Sequence, residues 1–281
     1  MTRSLLMFAV AVLALFAGAG DVLAQDAEVR GIATDWQWGF QAEASPIMAD
    51  IHWFYDVILL PMMIIISALV AGLMAYIFIK FRRSANPEPS RNTHNTLLEV
   101  LWTGVPILIL IGIAIPSLRL LYFEEIVPPQ AELTVKAVGH QWYWSYEYPD
   151  HGVEFESLMV DEADLEPGQP RLLTTDTQVV LPAGTIIHFL VTAEDVIHSW
   201  ALPAAGVKTD AVPGRVNDFW IQIDEPGIYY GQCSELCGQL HGFMPIMVDV
   251  RSPADFEAWV AEQQAALGIV PEVELASTDQ D

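Results

Sequence analysis

The chain has 281 residues, 53% of them hydrophobic, and a formal net charge of −24 at pH 7. So acidic a chain is not expected to hold nucleic acid. A high apolar share beside so large a charge implies uncharged membrane segments joined to a strongly acidic soluble part, within one or two domains.

Residues 1–24 have the form of a removable signal peptide. Arg3 is a short basic head, Leu5 to Phe16 an apolar middle, and Val22-Leu23-Ala24 a small-residue exit. The apolar run is short and interrupted by Gly18 and Gly20, unlike a membrane span. Cleavage after Ala24 places the soluble part in the exported, oxidising compartment of a bacterial cell. Residues 25–55 form an N-terminal segment outside the membrane, polar and irregular up to about residue 50. It carries Trp36, Trp38 and His52-Trp53-Phe54-Tyr55, aromatics suited to a membrane–water boundary.

Val57–Ile79 holds 23 residues without a charge, and about 20 suffice to cross a bilayer. Pro61 falls in its first turns, where a missing N–H costs little. Lys80, Arg82, Arg83 and Arg91 then crowd the loop over about residues 80–95, which puts that loop in the cytoplasm. Val100–Leu118 is a second uncharged stretch, of 19 residues, completing a transmembrane hairpin over residues 56–121. Thr96-Leu97-Leu98-Glu99 reads as a capping box at its start. Glu99 there favours the helix dipole, and an acid at the inner membrane boundary can also admit protons to a neighbouring channel. Two helices so poor in polar groups make an anchor in lipid, packed on a larger membrane partner.

From Tyr122 onward there are 27 Asp and Glu against five Lys and Arg. Short strand-like runs lie between turn residues: Glu132–Gly139, Gln141–Tyr148, Thr185–Ala193, Val216–Ile223, Gly227–Gln232 and Pro245–Val250. The pattern predicts an all-β sandwich or barrel within residues 122–268. Five aromatics fall between Trp142 and Tyr148, and strand alternation would send Trp142, Trp144, Tyr146 and Tyr148 to one face and Tyr143 to the other. Such a run is a core stripe, or it exposes a Trp as the contact for an electron donor. Ser252 caps, and Pro253 opens, a short C-terminal helix to about Leu267. An acidic tail, residues 269–281, has the composition of disorder.

The chemistry concentrates in Cys233-Ser234-Glu235-Leu236-Cys237-Gly238-Gln239-Leu240-His241-Gly242-Phe243-Met244, which holds both cysteines of the chain. Thiolate, imidazole and thioether form a soft ligand set that suits copper. His198, after a strand-like run, supplies a second imidazole. Cys233 is one thiolate more than a mononuclear blue-copper site needs, so the set reads as a two-copper centre bridged by both cysteines. A structural zinc site and a Cys233–Cys237 disulfide are the alternatives.

These residues resemble subunit II of cytochrome c oxidase, a haem-copper terminal oxidase. The similarity runs over nearly all of the mature chain. It is carried by Gly139–Tyr148, Asp195–Trp200, Lys208–Arg215 and, most specifically, Gly231–Pro245. It implies a cupredoxin-like domain with a binuclear CuA centre. The copper ligands would be His198, Cys233, Cys237, His241, Met244 and the backbone carbonyl of Glu235. The Glu235 side chain would bind a magnesium ion shared with subunit I. Trp142 would be the point where electrons enter from cytochrome c, and Glu99 the mouth of a proton channel. In the family's arrangement Glu147, Asp150, Glu156, Asp176 and Asp195 would form an acidic docking rim for cytochrome c. Gly242-Phe243 replaces the usual Ala-Tyr, at positions that are not ligands. No C-x-x-C-H motif is present, so the chain carries no c-type haem of its own.

The implied protein is the electron-accepting subunit of a two-pass bacterial inner-membrane oxidase. Its copper domain and both mature termini lie in the periplasm. Electrons pass from cytochrome c to haem in subunit I, where oxygen becomes water and the complex pumps protons. A quinol oxidase subunit would share the anchor but lack the copper ligands. A membrane-anchored copper carrier would need neither the aromatic run nor Glu235.

Overall fold

The computed structural model describes residues 31–269. The expected signal peptide and all of the acidic tail after Ile269 lie outside these residues. Before the first span, residues 31–45 are irregular, as their composition suggests, but the chain is helical from Pro46. Ser45 accepts a hydrogen bond from Met48 N and caps helix α1 (Pro46–Phe54). A single π turn (Tyr55–Leu59) joins α1 to α2 (Leu60–Lys80). Pro61 cannot donate to the preceding turn, and just before it the ladder slips, with Leu60 N bonding Tyr55 O.

Helix α3 spans Thr96–Glu125. Its cap is Asn95, one residue earlier than the expected Thr96. Asn95 Oδ1 accepts from Leu98 N at 3.2 Å, and Glu99 Oε1 accepts from Asn95 N at 3.3 Å. The box thus works with an asparagine, and Glu99 is one half of it. The continuous helices Pro46–Lys80 and Thr96–Glu125 have mean hydropathy 2.7 and 2.2 over their most apolar windows. Thirty residues at about 1.5 Å each give about 45 Å, so α3 is longer than the hydrocarbon core of about 30 Å.

Ten strands follow: β1 (Leu133–His140), β2 (Tyr143–Tyr148), β3 (Val153–Ser157), β4 (Val179–Pro182), β5 (Ile187–Ala193), β6 (His198–Leu202), β7 (Val207–Ala211), β8 (Asn217–Ile221), β9 (Gly227–Gln232) and β10 (Pro245–Arg251). They form a five-stranded sheet in the order β3-β2-β1-β5-β8, a three-stranded sheet β4-β10-β9, and the hairpin β6-β7. β1 and β5 run parallel, as do β4 and β10, so the sandwich is built by crossovers as well as hairpins. Strands β1, β2 and β5 alternate in burial, the period-2 pattern that made them legible. β4 and β6 are buried at every position and have no alternation to read. Trp200, fully buried on β6, fills the centre. Its ring lies 4.5 Å from Phe189 and 5.7 Å from Phe219, and its Nε1 donates to Tyr146 Oη at 3.2 Å. Helix α4 (Pro253–Leu267), capped by Ser252, closes one flank with Phe256, Trp259 and Val260 buried.

Candidate metal centre

β9 and β10 pair as far as Gln232 and Pro245, so residues 233–244 form one hairpin loop. A bond from Cys233 N to Met244 O, 3.4 Å long, closes its neck. A 3-10 turn over His241–Phe243 folds His241 back toward Cys237. His198 reaches the same place as the first residue of β6. Two glycines permit this convergence. A Cβ on Gly139 of β1 would lie 2.9 Å from the His198 ring, and one on Gly231 of β9 would lie 2.0 Å from Ala201 O of β6.

The sulfurs of Cys233 and Cys237 are 3.9 Å apart, both buried and not joined. A disulfide needs about 2.05 Å, so the two cysteines are not bonded to each other in this structure. His198 Nδ1 lies 3.9 Å from Cys233 Sγ, and His241 Nδ1 lies 3.5 Å from Cys237 Sγ. Met244 Sδ is 3.5 Å from Cys237 Sγ, and the Glu235 carbonyl 3.4 Å from Cys233 Sγ. The ligand atoms of His198, Cys233 and Cys237 all fall within 4.8 Å of one another. Two sulfurs flanked by two imidazoles, with a thioether and a carbonyl at the margin, form a donor set that fits soft metal ions.

Asp195 determines which nitrogen His198 presents. Its Oδ1 is 2.9 Å from His198 Nε2, leaving Nδ1 turned toward Cys233. The carboxylate also accepts from Val196 N at 2.6 Å and Gln141 N at 2.7 Å. Partial burial opposes its charge, yet these hydrogen bonds hold its carboxyl below the usual carboxylate range. Burial likewise opposes the His198 cation, but Cys233 and Asp195 hold its pKa above the ordinary value. Cys233 is also lowered: desolvation is outweighed by hydrogen bonds involving His198, Ser199, Glu235 and His241. Cys237 is raised by burial and by the Cys233 charge beside it. Two adjacent thiols cannot both ionise readily without a cation between them.

Two family models match the chain. Residues 33–120 match the transmembrane domain of cytochrome c oxidase subunit II, and residues 133–251 its periplasmic domain. The chain belongs to the cytochrome c oxidase subunit II family. It is 52% identical over 229 residues to a probable cytochrome c oxidase subunit 2 of Rickettsia bellii, covering 81% of this chain and 84% of that one. It is 46% identical over 240 residues to cytochrome c oxidase subunit 2 of Arabidopsis thaliana, covering 82% and 91%. The crystal structure of the periplasmic domain of subunit II of Bradyrhizobium japonicum cytochrome oxidase is 49% identical. It covers 50% of this chain and 99% of that one, with a TM-score of 0.47. The two apolar helices fall within the match to the family's transmembrane domain or run just past it, and make a two-pass membrane anchor.

Around this subunit II centre the expected residues fall into two groups. Trp142 lies in the tight β1–β2 turn rather than on a strand, so β2 buries only Trp144, Tyr146 and Tyr148. Trp142 is half-buried against the metal loop, where a Cβ on Gly238 would sit 3.1 Å from its ring. Glu156 pairs in register with Ser145, and Glu156, Glu194 and Asp195 together push the Tyr143 phenol up after desolvation. Asp150 and Glu147 belong to the other end of β2. Asp150 lies in the turn after Tyr148, and the six residues of β2 at about 3.4 Å each put about 20 Å between the two ends of the strand. Asp150 Oδ2 caps Thr134 N at 2.7 Å, and Glu147 is paired with Lys136 at 2.8 Å. Asp176 accepts from Leu158 N at 2.8 Å. Asp195, expected on the rim, is one-third exposed and bound to His198. Glu235 and Glu99 have exposed side chains.

Sequence reasoning missed Gln141, whose Nε2 donates to Cys237 O at 2.8 Å and ties the Trp142 turn to the centre. It also missed Glu194, 2.9 Å from His140 Nδ1. The metal loop itself exposes an apolar lip of Leu236, Leu240 and Phe243, and Ile197, next to His198, is exposed as well. The adjacency of Gln141 to Trp142 was the one available signal.

Proposed function

We infer that the protein is the electron-accepting subunit of a membrane-bound cytochrome c oxidase. It takes electrons one at a time from cytochrome c and hands them to haem in subunit I, where oxygen is reduced to water in a proton-pumping complex. The observation that carries the reading is the unjoined cysteine pair, 3.9 Å apart and flanked by His198 and His241, at one end of a packed sandwich.

Cys233, Cys237, His198, His241, Met244 and the Glu235 carbonyl would hold two copper ions, and the Glu235 side chain a magnesium ion at the boundary with subunit I. Copper supplies the one-electron acceptor and donor. The protein's part is to hold the ligands still. Cys233 is fixed by the hairpin neck, His198 by Asp195 and by the Gly139 contact, and Cys237 by Gln141. Ligands held this way shift little when charge arrives, which lowers the cost of transfer. Trp142 sits where the outer surface meets the metal loop and is the proposed route for electrons from cytochrome c. The apolar lip with Glu156 and Glu194 nearby is the kind of surface a basic donor recognises, with charge setting the encounter rate. Glu99 is proposed at the mouth of a proton channel. The basic loop over about residues 80–95 supports a cytoplasmic hairpin end and a periplasmic metal domain in a bacterial inner membrane.

The test is metal analysis with electron paramagnetic resonance on the purified full chain, then flash reduction by cytochrome c. Two coppers sharing one unpaired electron, reducible by cytochrome c, are expected. One zinc per chain without visible absorption would refute the reading.

A further inference from the structure

The two membrane helices do not merely tether the β domain; both are locked to it by specific contacts. Intrahelical bonding leaves the last four carbonyls of a helix without partners. In α3 one of these is Phe123 O, and Trp220 Nε1 of β8 donates to it at 2.8 Å. The Trp220 side chain is buried, and its ring stands edge-on to Phe123 at 5.2 Å and 83°. On the other helix, the cap residue Ser45 serves twice. Its Oγ accepts from Met48 N within α1 and donates to Ala205 O of the β domain at 2.6 Å. Ala44 N adds a bond to Ala204 O at 2.8 Å, and Ile47 is fully buried in the same contact. A Cβ on Gly206 would come within 2.8 Å of Ile51 Cδ1 and 3.1 Å of Met48 Cα, so the backbones meet directly.

What is gripped matters as much as the grip. Ala204–Gly206 is the turn between β6 and β7, and β6 opens with His198. Phe219, next to Trp220 on β8, packs on Trp200 of the same β6. Each membrane helix therefore bears on the hairpin that delivers a metal ligand. A loose linker would have let the domain ride at varying height. The indole bond and the shared helix cap resist both sliding and tilting: breaking the first leaves the N–H of the buried Trp220 unpaired, and breaking the second strands the buried Ala205 carbonyl.

We propose that Trp220 is a positioning residue which, with the Ser45 cap, fixes the metal-bearing domain at one height and tilt over the two spans. The lock thereby holds constant the separation across which electrons leave for subunit I. This role rests on the electron-transfer reading, but its geometric half does not.

The geometric test uses the full chain in detergent, with spin-labelled unnatural amino acids at Ser67 in α2 and Glu257 in α4. The native chain should give one narrow label-to-label distance. Trp220→Phe, which keeps the ring and removes the donor, should broaden it. Trp220→Ala combined with Ser45→Ala should broaden it further and shift its centre. In the assembled oxidase the same variants should slow copper-to-haem transfer several-fold. The copper resonance and the rate of reduction by cytochrome c should stay unchanged. An unaltered distance in both the mild and the double variant would overturn the lock. So would a changed copper resonance in Trp220→Phe, which would make Trp220 a support of the metal fold itself. Absence of copper from the native chain would sink the electron-transfer reading alone and leave the distance measurement to decide the lock.

Discussion

Asp195→Asn separates two roles for one acid. The native carboxylate uses both oxygens: Oδ1 faces His198 Nε2 and Val196 N, and Oδ2 accepts from Gln141 N. An asparagine has the same outline but one acceptor oxygen, so either His198 or Gln141 loses its partner. The bare charge interaction of a one-third-exposed carboxylate is worth about 1 kcal/mol or less. Losing the group that orients a metal-binding histidine costs more, about 10- to 100-fold in metal affinity. At about 1.4 kcal/mol per tenfold, that is about 1.4 to 2.8 kcal/mol. The assay is competition for copper between the purified chain and a coloured chelator, at low and high salt. The loss should be the same at both salts, because a hydrogen bond into a buried ring is not screened like a surface charge. A second consequence should be a disturbed Trp142 turn, since Gln141 also reaches Cys237 O. If copper affinity stayed within about twofold and only the low-salt association rate of cytochrome c fell, the reasoning would fail and Asp195 would be a rim acid.

Cys233→Ser should leave a one-copper or empty site and abolish the shared-electron resonance, as checked by metal analysis and spectroscopy. Trp142→Phe should change cytochrome c affinity little while sharply slowing copper reduction inside the complex, measured by flash photolysis with binding determined separately. Glu156→Gln should weaken cytochrome c binding at low salt by about 1 kcal/mol or less, while Asp150→Asn, at the far end of β2, should leave binding alone. Labels in the loop over residues 84–94 should react only from the cytoplasmic side and labels in the β domain only from outside; the reverse would overturn the assigned orientation.

What could be read from the sequence was what is local. The loop from Cys233 to Met244 carries four candidate side-chain ligands within twelve residues, so its chemistry can be read without coordinates. β1 and β5 announce themselves because every second residue faces the core. β6 does not, since all five of its residues are buried between the sheets, and it is the strand that brings in His198. β3 and β7 are five-residue strands whose polar outer positions read as turn. The Asn95 cap was misplaced by one residue because Thr96 and Asn95 are both good cap residues, and only the backbone distinguishes them.

The same distinction explains the acids. A count of Asp and Glu near an aromatic run says nothing about which end of a strand each occupies. Once β2 is placed, Glu147 and Asp150 go to one end with partners of their own, while Glu156 lies opposite Ser145 in mid-strand, close enough to act on Tyr143. The sequence shows Asp195 three residues from His198, but its function depends on β6 leaving the turn so that the ring folds back onto the carboxylate. Charge that is visible in a sequence is therefore a poor guide to charge that docks a partner. The acids left to steer a donor are those without an internal task, and near the metal end Glu156 fits that description better than Asp195.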